Sequence, residues 1–265
     1  MLKKQVKRSI LSKKRIAYIT GIVLLVALWQ AFSLFIGEKV MVLPGPKETL
    51  EYAVYLLGKS YTFRCIGFTM EKMLTGFLIS FAASLVLGMI SANSDFIEQM
   101  LKPFFITLRA VPTASLIYLF IIIAGFKNAP MLLVMMVSLP ILYEGVKDGI
   151  KNVPSGIANA AKVDGASLLE ENIRVKLPLS VPYIIVAMVT SFSLSFKIEI
   201  MAEVITGSTN AGLGSAIAGA RASDPTNMVP IFGYSLIAVV LMLMIDLLGD
   251  LFIRRFERFN VLKDE

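Results

Sequence analysis

Six stretches of this chain are apolar over lengths that approach or match the thickness of a bilayer, and no other feature limits the possible fold so tightly. They run over residues 16–36, about 73–91 (with an alternative start at Ile66), 103–125, 130–145, 178–205 and 229–253. The first holds 21 residues, roughly 30 Å as a helix, which is enough to cross the hydrocarbon core. The fourth is short and contains Pro140, so a tilted or kinked helix is expected there, with neighbouring helices satisfying the freed backbone groups. Hydrophobic residues make up 56% of the chain and charged residues 17%, against about 45–50% and about 25% in soluble domains. The expectation is an all-α integral membrane protein with about six transmembrane helices.

Charge placement sets an orientation. Seven of the 26 basic residues fall in the first fifteen positions (Lys3, Lys4, Lys7, Arg8, Lys13, Lys14, Arg15), and Arg254, Arg255 and Arg258 follow the last apolar block. Clusters that flank spans mark the cytoplasmic side, which explains the net charge of +7 without nucleic acid. The segment from Glu144 to Lys176 adds Lys147, Lys151, Lys162, Arg174 and Lys176, whereas two opposite-side connections hold only Lys127 and Arg221. The connection from Gly37 to Arg64 fits less well, with Lys39, Lys47, Lys59 and Arg64. N- and C-termini are therefore expected in the cytoplasm. A cleaved signal peptide is not expected, because the first apolar run is too long and ends in Gly37-Glu38-Lys39 without small cleavage-site residues.

Several chemistries lack their residues. There is one cysteine, Cys65, and no histidine, so disulfides, His-based catalysis and Cys/His metal sites are not expected. No G-x-x-x-x-G-K-[ST] phosphate loop occurs, and Gly212, Gly214 and Gly219 lack dinucleotide-loop spacing. Neither an enzyme nor a cofactor is expected; an energy source would lie on another polypeptide.

Two connections have their own pattern. After Leu43-Pro44-Gly45-Pro46, a helical stretch to Leu57 puts Leu50, Ala53, Val54 and Leu57 on one face, fitting either an outer interfacial helix or one packed on the bundle. In the segment ahead of the fifth block, Pro154-Ser155 signals a helix start and alanines follow. Asp164-Gly165 should break that helix, and a second amphipathic helix runs to Pro178. Two short helices joined by a glycine elbow, with small residues at the bend, suit close approach by another surface.

That loop resembles the EAA motif of ABC importer permeases. Asn159-Ala160-Ala161, three residues, Gly165, nine residues and Val175-Lys176-Leu177-Pro178 match its spacing. Asn159 stands where the motif has Glu, which removes one charge, and Val175 stands where it has Ile. Leu43-Pro44-Gly45-Pro46, Val111-Pro112-Thr113-Ala114, Met201-Ala202-Glu203 and Gly212-Leu213-Gly214 resemble elements of the nitrate, sulfonate and taurine permease group, which also includes permeases for pyrimidine precursors of thiamine. The resemblance covers roughly residues 43 to 258. It implies a type I ABC importer (MetI-like) transmembrane domain. Its expected partners are a separate ATP-binding cassette ATPase, an extracytoplasmic solute-binding protein, a second permease copy (homodimer or paired permease) and membrane lipid. It implies docking of the ATPase by Asn159, Ala160, Ala161, Asp164, Gly165 and Ala166. The implied organisation is a basic N-terminus (1–15), a first span with an outer segment (16–60), a permease core (61–258) with the coupling loop at 146–177, and a tail (259–265).

Lys197, Glu199 and Glu203 fall inside the fifth block. Charges at membrane depth face a bundle interior or a water-filled path. Glu199 and Glu203, four apart, share a helix face, while Lys197 points away from Glu203. They either line a solute path or serve assembly, with Arg109 as a candidate partner. Asp246 and Asp250 share a face of the sixth block and suit structural pairing. An ion-coupled secondary transporter is the alternative function, but the inverted repeats it calls for are not found. An intramembrane enzyme has no reactive constellation.

Overall fold

The computed structural model describes residues 2–40, 43–163, 165–207 and 212–261, with side chains outside 2–15, 36–40, 158–159, 161–162 and 256–261. The described residues are almost wholly helical, with no strand: α1 (Leu2–Val40), α2 (Pro46–Leu57), α3 (Ser60–Ala92), α4 (Asp95–Ala110), α5 (Thr113–Lys151), α6 (Ser155–Val163), α7 (Leu168–Glu170), α8 (Leu177–Thr206), α9 (Leu213–Ser223) and α10 (Val229–Val261). A π turn, Glu171–Lys176, joins α7 to α8. Five helical runs are long and apolar enough to cross a membrane, by length and composition. The fifth and sixth expected spans start within a residue of their helices, while the second starts at Ser60, ahead of even the alternative Ile66.

The chain forms two compact units, Met1–Lys59 with Gly219–Ile237, and Ser60–Ala218 with Ala238–Glu265. In the first unit, the Trp29 indole donates to the Pro44 carbonyl (3.1 Å) and the Ser33 hydroxyl to the Leu43 carbonyl (3.0 Å). These bonds fix the turn before α2, whose first residue, Pro46, has the φ a helix start wants. α2 buries Thr49, Ala53 and Leu56. Leu50, Val54 and Leu57 stay exposed, so only Ala53 of the expected apolar face is buried and the others point outward.

In the second unit, α3, α5 and α8 pack together, small residues bringing the backbones close. At Gly88, a Cβ would lie 2.7 Å from Val146 Cγ1. The Ser80 hydroxyl donates to the Met135 carbonyl (2.7 Å) and that of Ser84 to the Leu139 carbonyl (3.0 Å). These bonds tie α3 to the stretch of α5 around Pro140, where the helix nonetheless keeps its course; the only non-helical residue inside α5 is Gly125 (φ 75°, ψ 168°).

That glycine changes how the third and fourth blocks are read. Arg109, at the end of α4, forms an ion pair with Glu144 (2.6 Å) and donates to the Pro140 carbonyl (3.2 Å). Phe105 stacks on Tyr143, with centroids 4.0 Å apart. A straight helix from Thr113 to Glu144 would be about 45 Å long and would forbid these contacts. The chain instead reverses at Gly125, a φ that glycine alone adopts freely. The outgoing leg is α4 plus the start of α5, broken at Val111-Pro112, and begins at Asp95 rather than 103. The returning leg runs on to Lys151, past the expected end at Gly145. Leu116, Ile117 and Phe120 of the outgoing leg share a core with Ala129, Leu133 and Val134 of the returning one, closed by Ile198 and Ala202 of α8.

Candidate functional site

Two places in the second unit hold the residues singled out by sequence. The first is the connection between α5 and α8. α6 is followed by Gly165 with φ 81°, the left-handed elbow expected there. Ser167 then starts the second helical stretch with a capping box: its hydroxyl accepts from the Glu170 N–H (3.3 Å), and the Glu170 carboxylate accepts from the Ser167 N–H (3.1 Å). That stretch is continuous with α8 through the π turn instead of stopping at Pro178. Ala160 and Gly165 are exposed and Ala166 is half-buried. Asp164 lies outside the described residues, as do the side chains of Asn159 and Ala161.

Around these small residues, Ile157, Val163, Leu168, Leu169 and Ile173 are exposed. A Cβ at Gly156 or Gly165 would meet nothing within 4 Å. Bare glycines and exposed aliphatic side chains together make a surface to which a flat or ridged partner could come close.

The second place is on α8, where Glu199 and Glu203 are fully buried. One Glu203 oxygen accepts from the Thr69 hydroxyl of α3 (2.8 Å) and the Gly214 N–H (2.9 Å) at the start of α9. The Leu213 N–H donates to the same Thr69 hydroxyl (2.8 Å). A carboxylate at the first N–H groups of a helix is favoured by their unpaired donors and the helix dipole. The approach needs glycine. A Cβ at Gly212 would fall on the Glu203 carboxyl, and one at Gly214 would lie 2.6 Å from Glu203 Cβ. Both Glu199 oxygens, the second Glu203 oxygen and the Lys72 ammonium of α3 are buried without a hydrogen-bond partner among the described residues.

The structure brings Glu199 and Glu203 together, as their spacing predicts, and leaves Lys197 exposed on another face. Arg109 is not their partner, being held by Glu144 and Pro140. Among the described residues no ion pair of Asp246 or Asp250 is found. Sequence reasoning passed over Lys72 and Thr69. Lys72 at least was visible as a charge inside the second long helix; Thr69 gave no signal, being 134 residues from Glu203. No cluster of His, Cys, Asp or Glu suited to a metal occurs among the described residues.

Comparison with known proteins adds four findings. The family model described as "Binding-protein-dependent transport system inner membrane component" matches residues 84–259. The nitrate import permease protein NrtB of Leptolyngbya laminosa is 28% identical over 150 residues, 56% of this chain and only 53% of that protein. The Escherichia coli aliphatic sulfonates transport permease protein SsuC is 29% identical over 235 residues, covering 88% of this chain and 86% of that one. Among solved structures, an inward-facing form of the MetNI methionine ABC transporter superposes with a TM-score of 0.63 at 18% identity, over 76% of this chain and 96% of the matched chain.

Proposed function

Since the chain belongs to the family of binding-protein-dependent transport system inner-membrane components, we propose that it is the permease subunit of an ATP-binding-cassette importer. In this reading it carries a small solute across the inner membrane, and ATP hydrolysis occurs on a separate ATPase subunit. A solute-binding protein delivers the cargo outside, and two permease copies line the path. The solute belongs to the nitrate, sulfonate and taurine class or is a thiamine-precursor pyrimidine; NrtB and SsuC support the first group by similarity. Both termini face the cytoplasm, and the exposed aliphatic side chains of α1, such as Leu25 and Leu34, face lipid.

The observation that carries the proposal is the α6–Gly165–α7 element, with exposed small residues and unpartnered aliphatic side chains next to a polar elbow. Asn159, Ala160, Ala161, Asp164, Gly165 and Ala166 form the ATPase-docking surface. Closure of the ATPase pair moves this element, and α5 and α8, joined directly to it, carry the movement into the membrane. Lys197 lines the path: an exposed lysine on a spanning helix is costly against lipid and needs water or a second protein chain. Glu199 and Glu203, buried and turned away, brace the wall behind it. An ion-coupled mechanism gives the docking element no role.

The test is assembly. A tagged chain extracted in mild detergent should carry an ABC ATPase with it. Gly165→Pro, whose ring forbids the left-handed φ, should lose both that ATPase and solute uptake. An intact ATPase complex with unchanged uptake would overturn the proposal.

A further inference from the structure

The six residues between α7 and α8 wind as a π turn. Such segments are rare and short, and they cluster at functional sites. This one has a side-chain pair that its own winding creates. Lys176 Nζ lies 2.9 Å from Glu171 Oε1, five residues earlier. In a π turn, with hydrogen bonds from i to i+5, these side chains stack on one side. In an α-helix they would point about 140° apart. Glu171 is fully buried, and neither of its carboxylate oxygens has a hydrogen-bond partner among the described residues, so the ion pair with Lys176 is its main stabilising contact. Rewinding the turn to α would break the pair and force that carboxylate to move.

A second set of bonds ties the turn to the corner after α3. Lys176 also donates to the Asn93 side-chain oxygen (2.8 Å), and the Asn93 amide donates to the Asn172 side-chain oxygen (2.8 Å) and the Met89 carbonyl (2.7 Å). Asn172 in turn donates to the Leu168 carbonyl (2.7 Å). The other root of the loop is strapped to the same corner: Glu98 of α4 pairs with Lys147 (3.1 Å) and with Lys151, and Asp95 pairs with Lys151 (3.4 Å). Both ends of the connection are thus held by polar contacts to the same corner, through Asn93 at one root and Asp95 and Glu98 at the other.

We propose that the π turn is the joint between the docking element and α8, and that Glu171, Lys176 and Asn93 are positioning residues that hold it in its wide register. A stroke arriving at α6 rewinds the turn toward α, breaks the Glu171–Lys176 pair and rotates α8. The inference rests on the importer reading above, and it adds where in the chain the movement is converted.

The test uses the complete transporter, reconstituted with its ATPase and binding protein, and compares solute uptake with ATP hydrolysis in the same vesicles. Lys176→Gln and Asn93→Ala should lower uptake per ATP by about two- to thirtyfold, the range expected when coupling residues are altered, with ATPase still bound and hydrolysis retained. Lys176→Arg, which keeps a cation five residues from Glu171, should restore the ratio. If uptake per ATP is unchanged in both variants, or uptake and hydrolysis fall together and Lys176→Arg falls with them, the joint is merely structural and the inference is wrong. If the unaltered chain binds no ATPase at all, the importer reading itself fails. Asn93 is exposed, so its variant remains foldable should Lys176→Gln not accumulate.

Discussion

Glu203 and Glu171 are both fully buried and both lie where α3 meets the helical run of α8, yet one is held by uncharged donors and the other by a lysine. Thr69, near the start of α3, reaches Glu203 near the end of α8, and Asn93, just past α3, reaches Lys176 just before α8. The antiparallel pair is therefore tied at both ends. At the membrane knot the carboxylate meets the Gly214 N–H and the Thr69 hydroxyl, with glycines packed directly on it. The Gly214 donor is fixed by the backbone, and the Thr69 hydroxyl is a short side chain that also takes the Leu213 N–H. At the loop root the partner is a flexible four-carbon side chain whose contact depends on helix winding. The first arrangement suits a brace, the second a joint.

The comparison breaks most readily at Glu203. Glu203→Leu strands the Gly214 N–H and the Thr69 hydroxyl in a buried site, at about 1–3 kcal/mol for each. Glu203→Gln keeps an acceptor and should cost clearly less, as read by thermal unfolding in detergent. Equal losses for the two would mean that charge, not hydrogen bonding, holds the knot. A smaller effect is expected at Gly214→Ala. Its Cβ would meet the Ile200 carbonyl and lie 2.9 Å from the Val204 backbone nitrogen, atoms that cannot swing aside, so overpacking should cost about 1–3 kcal/mol. The check is whether Gly219→Ala, where a Cβ meets nothing within 4 Å, leaves stability unchanged.

The smallest effect is one of pH, and it belongs to the loop root alone. Lys151 first and Lys147 second hold the Glu98 carboxyl below its ordinary value of 4.5. A carboxylate lowered by folding stabilises the native state above its unfolded pKa, and that contribution is lost as pH falls through the folded value. Acidification below 4.5 should therefore loosen the start of α4 from the end of α5. Hydrogen exchange of residues 95–102 should rise there before exchange at 212–216 does.

The sequence revealed these regions unequally. Apolar length located the fifth and sixth spans because each is bounded by its own signal, Pro178 close to the start of α8 and Arg254 just past the apolar run of α10. The elbow was legible because Gly165 interrupts an alanine-rich helix. The reversal at Gly125 was half visible: two apolar blocks met there, but the break at Val111-Pro112 inside the outgoing leg gives no change in hydrophobicity. The π turn left no trace, since its residues read as an ordinary amphipathic helix and its winding depends on contacts with Asn93, 79 to 83 residues away. Glu203 was visible as a charge at membrane depth; its donors were not, because Thr69 and Gly214 carry no charge to betray them.

The central claim is that the connection around Gly165 is gripped by an ATPase in the cytosol. Cys65 is buried, so a cysteine placed at Ala160, which is exposed, is the main target for a thiol cross-linker in the assembled complex. The account predicts a single product joining position 160 to the ATPase subunit, formed with reagent supplied on the cytoplasmic side, and loss of uptake once it forms. Labelling of position 160 only from the outer side, or uptake that continues with the cross-link in place, would contradict it.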